Sequence, residues 1–154
     1  MPEWWNILQW KTAHALSPGG SDPTYTLNVG NRPDGEMFLY LYRHLGADCA
    51  YDPESVGGAG LAAASPAAVP VGRWFEVVAR YDWATGPTGR VTVWQDGARV
   101  MDVDAACTEY ADAVENGRQW SVNNYTLPGI SPSPAEIWVD DAAISVPSSE
   151  GPVP

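Results

Sequence analysis

The sequence predicts an all-β domain built from two packed layers of short strands. Three observations carry that expectation. Apolar and polar residues alternate with a period of two in most legible segments, 15 Gly and 14 Pro punctuate the chain at turn-like intervals, and 154 residues fit one domain. A chain of this size buries roughly 70% of its unfolded surface on folding, enough for a core without a metal.

Residues 4–11 form the first expected strand. Read by parity, Trp5, Ile7, Gln9 and Lys11 share one face and Trp4, Asn6, Leu8 and Trp10 the other. Ser17-Pro18-Gly19-Gly20-Ser21-Asp22-Pro23 is a loop, followed by a strand over 25–29. Pro33-Asp34-Gly35 turns the chain into a returning strand over 36–43. Residues 46–70, rich in Ala, Gly, Ser and Pro, read as mostly loop with one short strand at most. In 74–83, Phe75, Val77, Ala79, Tyr81 and Trp83 make the expected core face. A meander continues through 90–95, the Asp96-Gly97 turn and 99–103. Residues 111–117 read as a loop or short helical turn, 119–126 as a strand, and 135–144 as the last strand. Strands of this number and spacing fit a sandwich or barrel.

No apolar run is long enough for a transmembrane helix, and residues 1–6 lack the basic and apolar regions of a signal peptide, so a soluble, mature or trimmed chain is expected. With 8 Lys and Arg against 19 Asp and Glu, the formal charge of −11 repels nucleic acid and anionic lipid. Cys49 and Cys107 allow one disulfide or two thiols, and no Cys/His cluster suggests zinc. The domain is expected over 1–146, with the Pro/Ser-rich residues 147–154 as a tail or linker to another module.

The strings Trp4-Trp5-Asn6-Ile7-Leu8-Gln9-Trp10-Lys11 and Leu27-Asn28-Val29-Gly30-Asn31-Arg32-Pro33-Asp34-Gly35 resemble bacterial concanavalin A-like jelly rolls grouped with polysaccharide lyases of the heparin, glucuronan and alginate type. Val71-Gly72-Arg73-Trp74, the stretch 89–97, Trp120-Ser121-Val122-Asn123-Asn124-Tyr125 and Ile137-Trp138-Val139-Asp140-Asp141 extend the likeness over nearly the whole chain. The resemblance implies a secreted jelly-roll sandwich of two antiparallel sheets that acts on or binds an extracellular polysaccharide. Such lyases often carry Gln-x-His on a concave strand and a Tyr on a later one. Here the matching place is Gln9-Trp10-Lys11, with lysine where the base is expected.

Elimination at a uronate needs a group that neutralises the carboxylate, a base for the adjacent proton and an acid for the leaving oxygen. Gln9 is the candidate neutraliser, Lys11 or a tyrosine the base, and Tyr125 the acid. Tyr40, Tyr42 and His44 share a face that suits sugar binding, since aromatic rings cover pyranose C–H groups while polar tips bond hydroxyls. Arg43 is a candidate anion contact and Asn124 a further sugar ligand. Eight Trp exceed what so small a core readily holds. Trp5, Trp10 and Trp83 are therefore expected as exposed platforms, and Trp74, Trp94 and Trp138 as core. His14, in a loop after the first strand, is expected to be solvated. Asp140 and Asp141 are candidate ligands for a structural Ca²⁺, no cofactor being required, although a solvated acidic edge explains them equally well. The alternative to a lyase is a non-catalytic module that grips a neutral glycan; a third reading is a domain that binds nothing.

Overall fold

Turn chemistry sets the strand boundaries. Asp96 and Gly97 adopt φ of 50° and 77°, the left-handed pair of a tight hairpin, and place Gln95 opposite Ala98. Gly35, with φ of 87°, donates its N–H to the Arg32 carbonyl and closes the turn around Pro33-Asp34. The computed structural model describes residues 5–15, 20–50, 60–126 and 136–145. Among them the strands are β1 (Trp5–His14), β2 (Asp22–Asn31), β3 (Met37–Arg43), β4 (Leu61–Ala68), β5 (Val77–Asp82), β6 (Gly89–Gln95), β7 (Ala98–Ala106) and β8 (Ala113–Thr126). Trp4 and the expected linker 147–154 lie outside the described residues.

The strands form two antiparallel sheets of a β-sandwich, one ordered β4-β3-β2-β1-β8 and the other β5-β6-β7. Each is a meander, except that β8 returns to lie beside β1. Tyr25, Leu27 and Val29 of β2 and Leu39 and Leu41 of β3 pack against Val91 and Val93 of β6 and Met101 of β7. Burying each such side chain contributes about 1.5–3 kcal/mol. The Cys49–Cys107 disulfide joins the turn after β3 to the chain after β7, so it ties the two layers together.

Several sequence expectations need correction. Leu61–Ala68 is a full strand although rich in alanine, because pairing with β3 decides its conformation where propensity does not. Residues 113–117, expected as a loop or helical turn, open β8 instead. No strand forms in 136–145: Asp141 has φ of 53°, which breaks the extended run, and its N–H turns back to Asp140 Oδ1 at 2.9 Å.

The tryptophans are inverted relative to expectation. Trp5 and Trp10 are 6% and 7% exposed and belong to the core, so neither is a platform. Trp10 stacks on Tyr81 with ring centroids 4.8 Å apart, and Trp83 packs edgewise on the same tyrosine at 4.6 Å. Trp74 is exposed because β5 begins only at Val77, leaving the earlier residues outside the alternation. Trp94 alternates with the buried Val93 and Gln95, and so lies on the outer face of its sheet. Trp138 is exposed in the segment that fails to form a strand.

The physical reason for the first inversion is a β-bulge. Asn6 pairs with Asn28 but Leu8 with Leu27, so Ile7 is an extra residue without a partner on β2. Strict parity fails across it, and Asn6 comes to share a side with Gln9 while Leu8 and Trp10 join Trp5 against the core. His14 is likewise not solvated. It ends β1, is buried beside Tyr110, and its Nε2 lies 2.9 Å from Asp22 Oδ2.

Candidate functional site

The side of the five-stranded sheet turned away from the core is polar, and neighbouring strands align its residues in rows. One row runs Asn6, Asn28, Tyr40, Ala64 across β1 to β4. The next runs Ser121, Gln9, Thr26, Tyr42 from β8 to β3. Beyond Gln9, Lys11 faces Gln119, and His44 follows Tyr42 with its N–H on the Thr24 carbonyl. The alternation that sends Leu27 and Leu41 inward sends these residues outward.

Hydrogen bonds between side chains hold the rows rigidly. Asn6 Nδ2 donates to the Leu8 and Leu27 carbonyls at 3.2 and 3.3 Å. Carbonyls only accept, so the Asn6 amide is fixed in orientation and its Oδ1 must accept. It does so from Gln9 Nε2 at 2.7 Å and Asn123 Nδ2 at 2.8 Å. Asn123 Oδ1 in turn accepts from Ser121 Oγ at 3.0 Å. Asn6 Nδ2 also reaches Asn28 Oδ1 at 3.1 Å, and Asn28 Nδ2 donates to Thr26 Oγ1 at 2.9 Å. Satisfied polar networks of this kind specify one geometry.

The ionisable groups of this face are tuned toward neutrality. Burial lowers the His44 pKa to about 4, against a small opposing effect of the Asp22 charge. Burial raises the Tyr40 phenol above its ordinary value, reinforced by Tyr42. Lys11, half-buried, supplies the one cationic side chain of these rows. The His44 shift has a consequence for stability. Its folded pKa of about 4 lies below the unfolded value near 6.5, so the unfolded chain binds the extra proton first as pH falls. The contribution is fully present above pH 6.5 and is lost toward pH 4, amounting to about 2–3 kcal/mol. Urea unfolding of wild type and His44→Gln at both pH values checks it: the variant should lose less stability on acidification.

The structure brings together Gln9, Lys11, Tyr40, Tyr42 and His44 on this face and leaves other expected residues elsewhere. Arg43 alternates to the opposite side, where it pairs across the strand with Tyr25, so it is not an anion contact beside Tyr42. Asn124 accepts the Trp5 indole N–H at 2.7 Å on the core side. Its neighbour Asn123 faces the polar rows. Trp83, packed against the core, is not part of the face. Tyr125 is exposed on the edge strand β8 opposite Asn6. Five residues of β1 separate that position from Lys11, about 16 Å at a strand's rise. Two side chains standing off the sheet at that separation do not serve one C–H bond and its adjacent leaving oxygen. Asp140 and Asp141 are exposed in the irregular 136–145 segment, and among the described residues no group of three His, Cys, Asp or Glu is placed to hold a metal ion.

Sequence reasoning passed over Asn6, Thr26, Asn28, Ser121 and Asn123. Thr26 and Asn28 were within its reach, since they alternate with the apolar Tyr25, Leu27 and Val29; Asn6 was hidden by the bulge.

No family model matches the chain, and no curated protein or solved structure matches it either.

Proposed function

We propose that this β-sandwich is a secreted, polysaccharide-active domain of jelly-roll type, similar to polysaccharide lyases in architecture, which holds its glycan against the polar face of the five-stranded sheet. The observation that carries the reading is the network of oriented side-chain amides around Asn6. Sugar hydroxyls need donors and acceptors at fixed positions, and a site that has already lost its side-chain entropy binds them at lower cost. Gln9, Ser121, Asn123 and His44 offer those groups, and the Tyr42 ring offers an apolar surface. Lys11 beside Gln9 favours a sugar carboxylate despite the overall negative charge. The disulfide fits an oxidising compartment outside the cytosol.

The distance between Lys11 and Tyr125 favours holding over cutting by that pair. Affinity electrophoresis against uronate and neutral polysaccharides tests the reading, with ultraviolet absorbance of the unsaturated product recorded in parallel. Retention on a uronate polymer is expected, weakened about tenfold in Gln9→Ala and in Lys11→Ala, since a hydrogen bond to a charged group contributes about 1.5–3 kcal/mol. Failure of every polymer to retard the protein overturns it.

A further inference from the structure

Three backbone carbonyls, those of Leu8, Leu27 and Thr26, set the direction of the hydrogen bonds from Asn6 to His44. Because Asn6 Nδ2 is committed to Leu8 and Leu27, Asn28 Oδ1 is an acceptor. Asn28 Nδ2 is independently fixed as a donor by its 3.3 Å bond to the Thr26 carbonyl, and it donates also to Thr26 Oγ1. The Thr26 hydroxyl thus accepts from Asn28 and still carries its own proton. Thr26 is buried, and the only remaining partner for that proton among the described residues is His44 Nε2, at a long 3.5 Å. A buried hydroxyl proton left without an acceptor costs about 1–3 kcal/mol, whereas a hydroxyl oxygen readily accepts only what it is offered. The arrangement that satisfies all four groups has Thr26 donating and Nε2 accepting.

We propose that the Asn6–Asn28–Thr26 row holds His44 as its Nδ1–H tautomer, so that His44 meets a ligand as a hydrogen-bond donor through Nδ1. The ring nitrogen that carries the proton is set by the bond made at the other nitrogen. No partner for Nδ1 is placed among the described residues. A ligand that contacts His44 there must therefore offer an acceptor oxygen, such as a carboxylate, ring or hydroxyl oxygen; this ligand half rests on the glycan reading, while the tautomer does not. Thr26 is a positioning residue in this scheme, acting through His44.

Long-range proton–nitrogen spectra of the full chain labelled at histidine, with His44 assigned from His44→Asn, read the tautomer directly at neutral pH. Nδ1 should show the protonated and Nε2 the unprotonated type of nitrogen shift. Thr26→Val should move the signals toward the Nε2–H form, and Thr26→Ser, which keeps the hydroxyl, should not. A proton on Nε2 in the wild-type protein overturns the inference without recourse to any variant, as does an unchanged tautomer in folded Thr26→Val. On a glycan retained in the electrophoresis panel, Thr26→Val should bind about fivefold more weakly, the worth of one neutral hydrogen bond, and Thr26→Ser like wild type. A panel with no retained glycan removes the functional reading and leaves the tautomer result standing; a retained glycan with Nε2–H removes this inference alone.

Discussion

Reduction of the Cys49–Cys107 bond is expected to lower the unfolding free energy by about 4 kcal/mol. The bond spans 58 residues, and closing a loop of that length in the unfolded chain removes entropy of that magnitude in the chain-entropy account. For a domain of this size the loss corresponds to a fall in melting temperature of about 12 °C. Both cysteines are buried, so the double variant Cys49→Ala/Cys107→Ala reproduces the effect without adding a polar group to the core. Guanidinium unfolding with and without reductant measures the difference. A loss below about 1 kcal/mol would show that the layers need no covalent tie. The expectation is large because the bridge connects the turn behind β3, which carries Tyr40 and Tyr42, to the far sheet. Loosening it should also relax the polar face.

Asn6→Leu is the second substitution with a large expected effect, a loss of about 3–4 kcal/mol. Leucine has the same number and branching of side-chain heavy atoms as asparagine, so packing is not the chief cost. Instead the change strands Gln9 Nε2, Asn123 Nδ2 and Asn28 Oδ1 together with the Leu27 carbonyl. Each buried group left unpaired costs about 1–3 kcal/mol, reduced where Gln9 and Asn123 can turn to water. Asn6→Asp keeps the accepting oxygen but sets a second oxygen against the two backbone carbonyls, and should be destabilising too. Urea titration should show a lower midpoint with an unchanged slope, the sign of a stability change without a change of fold. A midpoint equal to wild type in Asn6→Leu would mean the network is ornamental, and the glycan reading would lose its main support.

The layered β architecture was legible in the sequence because its signals are local. Asp96-Gly97 and Pro33-Asp34-Gly35 specify turns through residues that tolerate left-handed backbone, and the alternation in 25–29 and 77–82 separates the apolar face of each strand from the polar one. What escaped depends on partners distant in sequence. Leu61–Ala68 has no strand propensity to speak of and becomes one by pairing with β3. Residues 136–145 look like a strand and have no ladder. Tryptophan count suggested platforms, but counting cannot say which rings are wet, and Trp5 and Trp10 went to the core on the strength of a single unpaired residue. For the site, Gln9, Lys11, Tyr40, Tyr42 and His44 were placed on one surface as alternation implies, whereas Arg43 and Asn124 were each one position out of phase with it.

That phase slip at Ile7 reaches beyond this strand's own packing. In an unbroken strand, functional partners recur at even intervals; here Asn6 cooperates with Gln9 at an interval of three. Pairing all of these residues without the bulge would rotate Trp5 and Asn6 by half a turn relative to Gln9 and Trp10, pushing an indole into the sugar-facing rows and an amide into the hydrophobic layer. The extra residue thus lets one continuous strand serve two masters, anchoring the core with indoles at positions 5 and 10 while presenting amides and an amine from the residues immediately beside them.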